Sequence, residues 1–187
     1  MQTDLAIVAA LDDELKILRA GFQFDERVRY KTAKLLRGNI ANKSIWLINS
    51  GLGAAAMTRC MQFFCKQQQP QLVLHLGYCG ASDPSLQNGD LVLASEIINA
   101  NTGEQLLVRQ DLQARAEKLC QEWGLRFQKG SLLSVDKIID EPHQKAFLGT
   151  KHQALAIDME SFALAQACAA RKIPYLVLRS VFDPLEM

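Results

Sequence analysis

Four charged side chains stand where apolar, strand-like runs of the sequence end: Glu14, Glu160, Arg179 and Asp183. A carboxylate beside an arginine, as in Asp183 near Arg179, is suited to donate a proton in general acid catalysis. A carboxylate at the end of a strand, such as Glu160, is suited to accept hydrogen bonds from two hydroxyl groups of a sugar. These side chains are therefore the candidates for a catalytic or sugar-binding site.

Two of the acidic segments also have a purely structural interpretation. Asp158 precedes an alanine-rich helical pattern and is placed to cap that helix, with Glu160 favouring the helix dipole in the first turn. Composition by itself favours this capping interpretation. The segment Asp183-Pro184-Leu185-Glu186 has the pattern of a capping box with Asp in place of Ser or Thr. The sequence stops at Met187, so we expect residues 184–187 to be irregular and Asp183 to be held less rigidly than Glu160.

Two glycine-rich segments follow predicted strands. The segment from Gly51 to Ala56 fits the dinucleotide-binding pattern G-x-G-x-x-A. That pattern also requires an acidic residue about 20 residues further on, and the sequence has no Asp or Glu from Ala54 through Ser82. Two interpretations remain: a turn that brings backbone close to a small ligand or anion, or simple packing of strand against helix. The segment Gly77-Tyr78-Cys79-Gly80 leaves the same two interpretations open.

Composition narrows the classes of protein. The 187 residues carry 21 Lys and Arg against 20 Asp and Glu, a net charge of +1, far from the basic excess of a nucleic-acid binder. No apolar run approaches the roughly 18–20 residues that span a bilayer, and no basic segment precedes the first apolar run. The five cysteines contain no CxxC pair, which favours free thiols in a reducing compartment. We expect a single cytoplasmic domain over residues 1–187.

The hydrophobic pattern predicts the elements that position the candidate residues. Near-continuous apolar runs, typical of buried strands, alternate with amphipathic helical patterns. This alternation predicts an α/β fold with a mainly parallel sheet covered on both faces, in which ligands bind at the carboxyl ends of the strands. The predicted strands are 5–10, 44–49, 71–76, 90–95, 130–133 and 174–179, and the predicted helices begin near 12 and 54 and span 112–123 and 158–171.

These segments together resemble the nucleoside phosphorylase and nucleosidase superfamily, and most of all the bacterial methylthioadenosine/S-adenosylhomocysteine nucleosidases. No single segment is specific, but five in the family's order and spacing are. The matching segments are Ile7–Glu14, Ser50–Gly53, Gly77–Gly80 with Asn88–Val92, Ala156–Glu160 and Leu178–Asp183. The resemblance implies a three-layer phosphorylase-like fold and cleavage of the N-glycosidic bond of a purine nucleoside.

The resemblance also implies a role for each site residue. Asp183 corresponds to the acid that protonates the purine at N7, and Glu160 to the carboxylate that holds the ribose hydroxyls, with Met159 packing on the sugar. Glu14 and Arg179 correspond to the residues that position and activate the attacking water. The remaining positions match binding residues: Ile138 and Ile139 enclose the base, and Gly77 and Tyr78 face the water or phosphate. Neither a metal ion nor an organic cofactor is implied, and the family commonly forms homodimers.

Several positions depart from the family pattern. Tyr78 and Phe182 replace small polar residues, Ile138 replaces an aromatic one, and the segment 99–110 is shorter than the family's cover over the 5′ substituent. The family's C-terminal helix is missing after Asp183 in this sequence, which makes weak activity an expectation. Two alternatives follow: a hopanoid-associated nucleoside phosphorylase or nucleosidase acting on a bulky 5′-substituted adenosine, and a truncated, non-catalytic nucleoside-binding homologue.

Overall fold

The computed structural model describes residues 3–185, which form one mixed sheet flanked by helices. A 3-10 turn, 13–15, precedes the first helix. The helices are α1 (Lys16–Ala20), α2 (Ala54–Gln67), α3 (Gln110–Glu122), α4 (Pro142–His152) and α5 (Ser161–Ala169). The strands are β1 (Leu5–Ala9), β2 (Phe24–Tyr30), β3 (Ala33–Ile40), β4 (Lys43–Asn49), β5 (Leu72–Ala81), β6 (Leu91–Asn99), β7 (Gln105–Leu107), β8 (Phe127–Ser134), β9 (Ala154–Asp158) and β10 (Tyr175–Asp183).

Part of the sheet closes on itself. Strand β10 pairs with both β5 and β6, so that β10, β6, β8, β9 and β5 form a ring, and β1, β4, β3 and β2 extend outward from β5. The pairings of β1 with β4 and β5, of β8 with β6 and β9, and of β10 with β5 are parallel. The other pairings in the described chain are antiparallel.

Alternating side chains of β1 and β4 bury both faces of the open part of the sheet. Ala6, Val8, Trp46 and Ile48 belong to the larger core, which also holds Met57, Cys60 and Phe64 of α2 and much of α5. Ile7, Ala9, Ile45 and Leu47 face the opposite way and pack with Leu15 and Leu18 of the turn and α1. The period-2 alternation therefore separates two apolar layers, and the predicted three-layer α/β architecture with a mixed sheet is confirmed.

The structure corrects several predicted boundaries. Strand β5 runs to Ala81 and β10 runs to Asp183, so both continue through segments that the sequence placed after a strand. The predicted helix 158–171 is instead the end of β9 followed by α5. The elements that sequence analysis missed are the β2–β3 hairpin, β7, β9 and α4.

The chain end and the helices bear on two further expectations. Pro184 and Leu185 lie in neither a helix nor a strand, whereas Glu186 and Met187 lie outside the described residues. Within residues 3–185, none of the helices is both long and apolar enough to cross a bilayer.

Helix α4 packs so closely on Ser82, the residue after β5, that one of its positions has no room for a side chain. A Cβ atom at Gly149 would lie 2.7 Å from both the Cβ and the backbone oxygen of Ser82. Alanine normally stabilises a helix by about 1 kcal/mol relative to glycine. Here we expect Gly149→Ala to lower the free energy of unfolding by about 1–3 kcal/mol, because the backbone of Ser82 must shift.

Urea unfolding measures this change in stability. The matched control is Gly21→Ala, whose new Cβ would meet only the Leu18 carbonyl oxygen at 3.9 Å and whose effect should stay within about 0.5 kcal/mol. A Gly149→Ala protein as stable as the wild type would show that α4 does not press on Ser82.

Candidate active site

A cavity of about 500 Å³ opens at the ends of β5, β9 and β10. Five carboxylates line it: those of Asp13, Glu14, Asp158, Glu160 and Asp183. Two ammonium groups, those of Lys137 and Lys145, line it as well. Its apolar lining includes Leu11, Leu52, Tyr78, Ile138, Ile139, Met159 and Phe182. A cavity of this size with few, converging polar groups is typical of a small-molecule site.

Glu14 is held rigidly by the backbone around it. Its Oε2 accepts hydrogen bonds from the amides of Ala10 (2.9 Å) and Leu11 (2.8 Å), and its Oε1 accepts one from the amide of Tyr78 (2.8 Å). The 3-10 turn after β1 therefore fixes this carboxylate against β5. Three amide donors leave it little freedom to rotate away from the cavity.

Glu160 lies at the start of α5 with only 5% of its surface exposed. Its Oε1 accepts a short hydrogen bond, 2.6 Å, from the amide of Gly53. Burial is the main reason that the pKa of Glu160 rises to about 7, and the negative charges of Asp158 and Glu14 add to the rise. The Gly53 hydrogen bond and the charge of Arg179 oppose it. The anion that the glycine turn approaches is thus Glu160 of the same chain.

Asp183 ends β10 with its side chain about half exposed, and a buried lysine holds it. The Nζ of Lys145 lies 2.7 Å from Oδ1 of Asp183, and the lysine side chain is 1% exposed. Sequence analysis missed Lys145. Its only signal is spacing, since Lys145, Gly149 and His152 recur at helical intervals on α4, where Lys145 and Gly149 are buried.

Arg179 does not line the large cavity, contrary to the expectation that it ends a strand there. It sits within β10, and its buried guanidinium forms an ion pair with Asp158 at 2.5 Å. The same nitrogen donates to Ser161 Oγ at 3.0 Å and lies 2.9 Å from His75 Nε2. The Asp158 carboxylate also accepts a hydrogen bond from the amide of Ser161, the first residue of α5, while it neutralises Arg179. The N-cap residue of α5 is Glu160 rather than Asp158, which the sequence favoured.

His75 of β5 belongs to this cluster. Burial, and secondarily the charge of Arg179, holds the pKa of His75 well below its ordinary value. The imidazole is therefore neutral at physiological pH. It adds hydrogen-bonding capacity around Arg179 without adding a second positive charge.

Gly77, which has no side chain, leaves room beside β5 for two charged side chains. It pairs with Arg179 across β5 and β10, and a Cβ at Gly77 would overlap both the Arg179 guanidinium and the Glu14 carboxylate. Gly77 and Arg179 line a smaller cavity of about 170 Å³, whereas Glu14 and Tyr78 line both cavities. Glu14 thus stands at the junction between the two spaces.

Aromatic and aliphatic side chains surround the mouth of the large cavity. The rings of Tyr78 and Phe182 lie 5.2 Å apart at a tilt of 39°. Ile138 is largely exposed, while Ile139 and Met159 are half-buried against a small apolar cluster. The structure therefore brings to one cavity every site residue that the resemblance implied except Gly77 and Arg179.

Comparison with known proteins places this geometry in a family. The profile of the phosphorylase superfamily matches residues 4–186. The chain belongs to the phosphorylase superfamily. The resemblance drawn from its motifs is thereby confirmed.

Individual relatives agree with the family assignment. A 5′-methylthioadenosine/S-adenosylhomocysteine nucleosidase of Bacillus thuringiensis (strain Al Hakam) is 25% identical over 196 residues, covering 96% of this chain and 85% of the relative. The crystal structure of the nucleosidase of the same name from Campylobacter jejuni superposes with a TM-score of 0.92 at 20% identity, covering 99% and 87% of the two chains. The structure of futalosine hydrolase of Helicobacter pylori strain 26695 superposes with a TM-score of 0.89 at 23% identity, covering 98% of this chain and 86% of the hydrolase. These relatives give no support to the hopanoid-associated alternative.

The raised pKa of Glu160 makes a prediction about stability. Between about pH 4.5 and 7 the folded protein retains a proton on Glu160 that the unfolded chain has released. The stability of the wild type should therefore fall as the pH rises through this range, relative to Glu160→Gln, which cannot ionise. Between pH 4.5 and 8, we expect the free energy of unfolding of Glu160→Gln to rise by on the order of 2 kcal/mol relative to that of the wild type.

Urea unfolding of both proteins at the two pH values measures this gain. A stability difference that stays constant with pH would contradict the raised pKa. A difference that changed in the opposite direction would show that Glu160 is stabilised in its charged form.

Proposed function

We propose that the protein hydrolyses the N-glycosidic bond of adenine nucleosides of the 5′-methylthioadenosine/S-adenosylhomocysteine class. One observation carries the proposal: Glu14, Glu160 and Asp183 converge on a single cavity in a chain of the phosphorylase superfamily. The activity named for the Bacillus thuringiensis relative supports the choice of substrate. A nucleosidase of this kind is an enzyme that needs neither a metal ion nor an organic cofactor.

The chemistry divides between a base end and a sugar end of the cavity. As the bond between C1′ and N9 breaks, its electron pair leaves with the base, and Asp183 donates a proton to N7 of the purine. The sugar becomes positively charged, and Glu160, which binds the ribose hydroxyls, stabilises that charge together with Glu14. Met159 packs on the sugar, and Ile138 and Ile139 enclose the base.

The attacking water belongs at the junction of the two cavities. Glu14 lines both spaces, and Arg179 borders the smaller one beside it. The water oxygen bonds to C1′ while its proton passes to the Glu14 carboxylate. A carboxylate at this position repels phosphate, which favours hydrolysis over phosphorolysis. Gly77 and Tyr78 bound the same space from β5, and the Tyr78 amide keeps Glu14 in place.

We also propose that residues 1–187 form a single domain, which the family match over residues 4–186 supports. We place the protein in the cytoplasm, in keeping with five cysteines that are all free thiols. The proposed enzyme requires only purine nucleosides as ligands. We expect it neither to bind nucleic acid nor to span a membrane.

Release of adenine tests the proposed function directly. We expect the protein to liberate adenine from 5′-methylthioadenosine or S-adenosylhomocysteine in a coupled assay. Glu160→Gln and Asp183→Asn should each lower kcat by about 100-fold or more, because each removes a group that acts in the transition state. The matched control is Glu104→Gln, an exposed carboxylate outside the cavity, which should leave turnover unchanged.

Binding of a nucleoside without any release of adenine would instead support the non-catalytic alternative. Wild-type turnover in either cavity variant would show that the assigned roles are wrong. Circular dichroism of each variant separates a lost role from a lost fold.

We further propose a homodimer. The exposed side chains of Leu107, in the short segment after β6, and of Trp123, at the end of α3, supply apolar surface for a partner. Light scattering at micromolar concentration should give twice the mass of the chain. A monomer at that concentration would refute the dimer without affecting the proposed reaction.

A further inference from the structure

We propose that Lys145 is a positioning residue for the proton that Asp183 donates to the leaving base. Its ammonium group occupies Oδ1 of Asp183 and so reserves Oδ2, on the cavity side, for the transferred proton. The inference rests on the proposed function and adds to it a residue that the sequence motifs do not contain. It starts from a buried lysine whose only described ion-pair partner is the candidate acid.

The contacts of Lys145 all lie at the end of β10. Besides the 2.7 Å ion pair to Oδ1, its Nζ lies 3.4 Å from the carbonyl oxygens of both Asp183 and Pro184. Lysine is almost never fully buried unless it is paired, and this side chain is 1% exposed. Its three N–H donors therefore match three acceptors on two consecutive residues. Lys145 holds Asp183 by side chain and backbone together.

The chemistry of an ammonium group decides which carboxyl oxygen can carry the proton. An ammonium has donors and no acceptor, so an oxygen that faces it must act as a hydrogen-bond acceptor. Oδ1 of Asp183 faces Lys145, which leaves Oδ2 as the oxygen for the acidic proton. Oδ2 lies near Gly80, a residue of the cavity wall, where an added Cβ would be 3.5 Å from it.

The support for Lys145 comes from a rigid part of the fold. Helix α4 carries Lys145 and, one turn later, Gly149, which presses directly on Ser82. Asp183, in contrast, is the last residue of β10 and is followed by irregular chain. A general acid must be held within roughly half an ångström of its productive position. Lys145 transfers the rigidity of α4 to a residue that the strand end alone would hold loosely.

The charge of Lys145 also suits the direction in which electrons move. Glu14 and Glu160 place negative charge at the sugar end, where positive charge develops. Lys145 places a positive charge at the base end, where the electron pair arrives. Fixed charges that match the developing charges of a transition state lower its free energy. Because the ammonium is buried, water screens it less than it would an exposed lysine.

The test compares Lys145→Met, which keeps the length of the side chain and removes its charge, with Lys151→Met. Lys151 is an exposed lysine on the same helix and serves as the matched control. For adenine release we expect Lys145→Met to lower kcat by about 10- to 100-fold, with KM within about threefold, because positioning of the acid acts in the transition state. The control should match the wild type.

A binding measurement separates positioning from mere structural support. The two probes are non-cleavable analogues of 5′-methylthioadenosine: a 9-deazaadenine C-nucleoside, which carries a proton on N7, and a 7-deazaadenine nucleoside, which has carbon there. We expect Lys145→Met to weaken binding of the first about tenfold and of the second less than about threefold, because only the first donates a hydrogen bond to Oδ2 of Asp183. An equal loss for both probes would overturn the proposal.

Two further outcomes are decisive. Unchanged kcat in a folded Lys145→Met protein overturns the role of Lys145 and leaves the proposed function standing. If the wild type cleaves no nucleoside, and Lys145→Met binds both probes as tightly as the wild type does, then both the proposed function and the role of Lys145 are wrong. If Lys145→Met does not fold, Lys145→Gln removes the charge on a side chain one bond shorter, which withdraws the donor from Oδ1, and the same ratio of affinities for the two probes decides the question.

Discussion

The fold depends on the buried ion pair between Arg179 and Asp158. A guanidinium in an apolar core requires a counter-charge, and losing one partner of such a pair costs about 3–5 kcal/mol. Here the partners come from two strands and a helix: Asp158 from β9, His75 and the Leu76 carbonyl from β5, and Ser161 from α5. Satisfying Arg179 therefore brings β5, β9 and β10 together where the sheet closes.

The candidate site stands on the rim of that buried cluster. Glu160 follows Asp158 by two residues, and the Glu14 carboxylate and the Arg179 guanidinium both lie close to Gly77. Arg179 opposes the rise in the pKa of Glu160 that burial and Asp158 cause. The cluster thus allows several carboxylates to share a small space that would otherwise be dominated by their mutual repulsion. Structural support and chemical function are carried here by adjacent residues of the same strands.

Arg179 and Lys145 compensate the negative charge of the carboxylates in different ways. Arg179 lies behind the cavity and compensates charge through Asp158, whereas Lys145 lies at the cavity wall and contacts the candidate acid directly. One is held by the closed ring of strands, and the other by α4. In the proposed reaction, this separation puts carboxylates at the sugar end and a positive charge at the base end, an arrangement suited to a bond that breaks into a cationic sugar and an anionic base.

The sequence by itself determined the α/β class, the apolar strands and the set of carboxylates, because these depend on local periodicity and on residue type. It did not determine the β2–β3 hairpin, whose exposed, charge-rich β2 at the sheet edge lacks an apolar signature. Nor did it reveal Lys145 or the counter-ion role of Asp158. Lys145 is separated from Asp183 by 38 residues, and Asp158 from Arg179 by 21. Only the tertiary structure decided that Arg179 lies behind the cavity, because closure of the ring through β10 buries the middle of that strand.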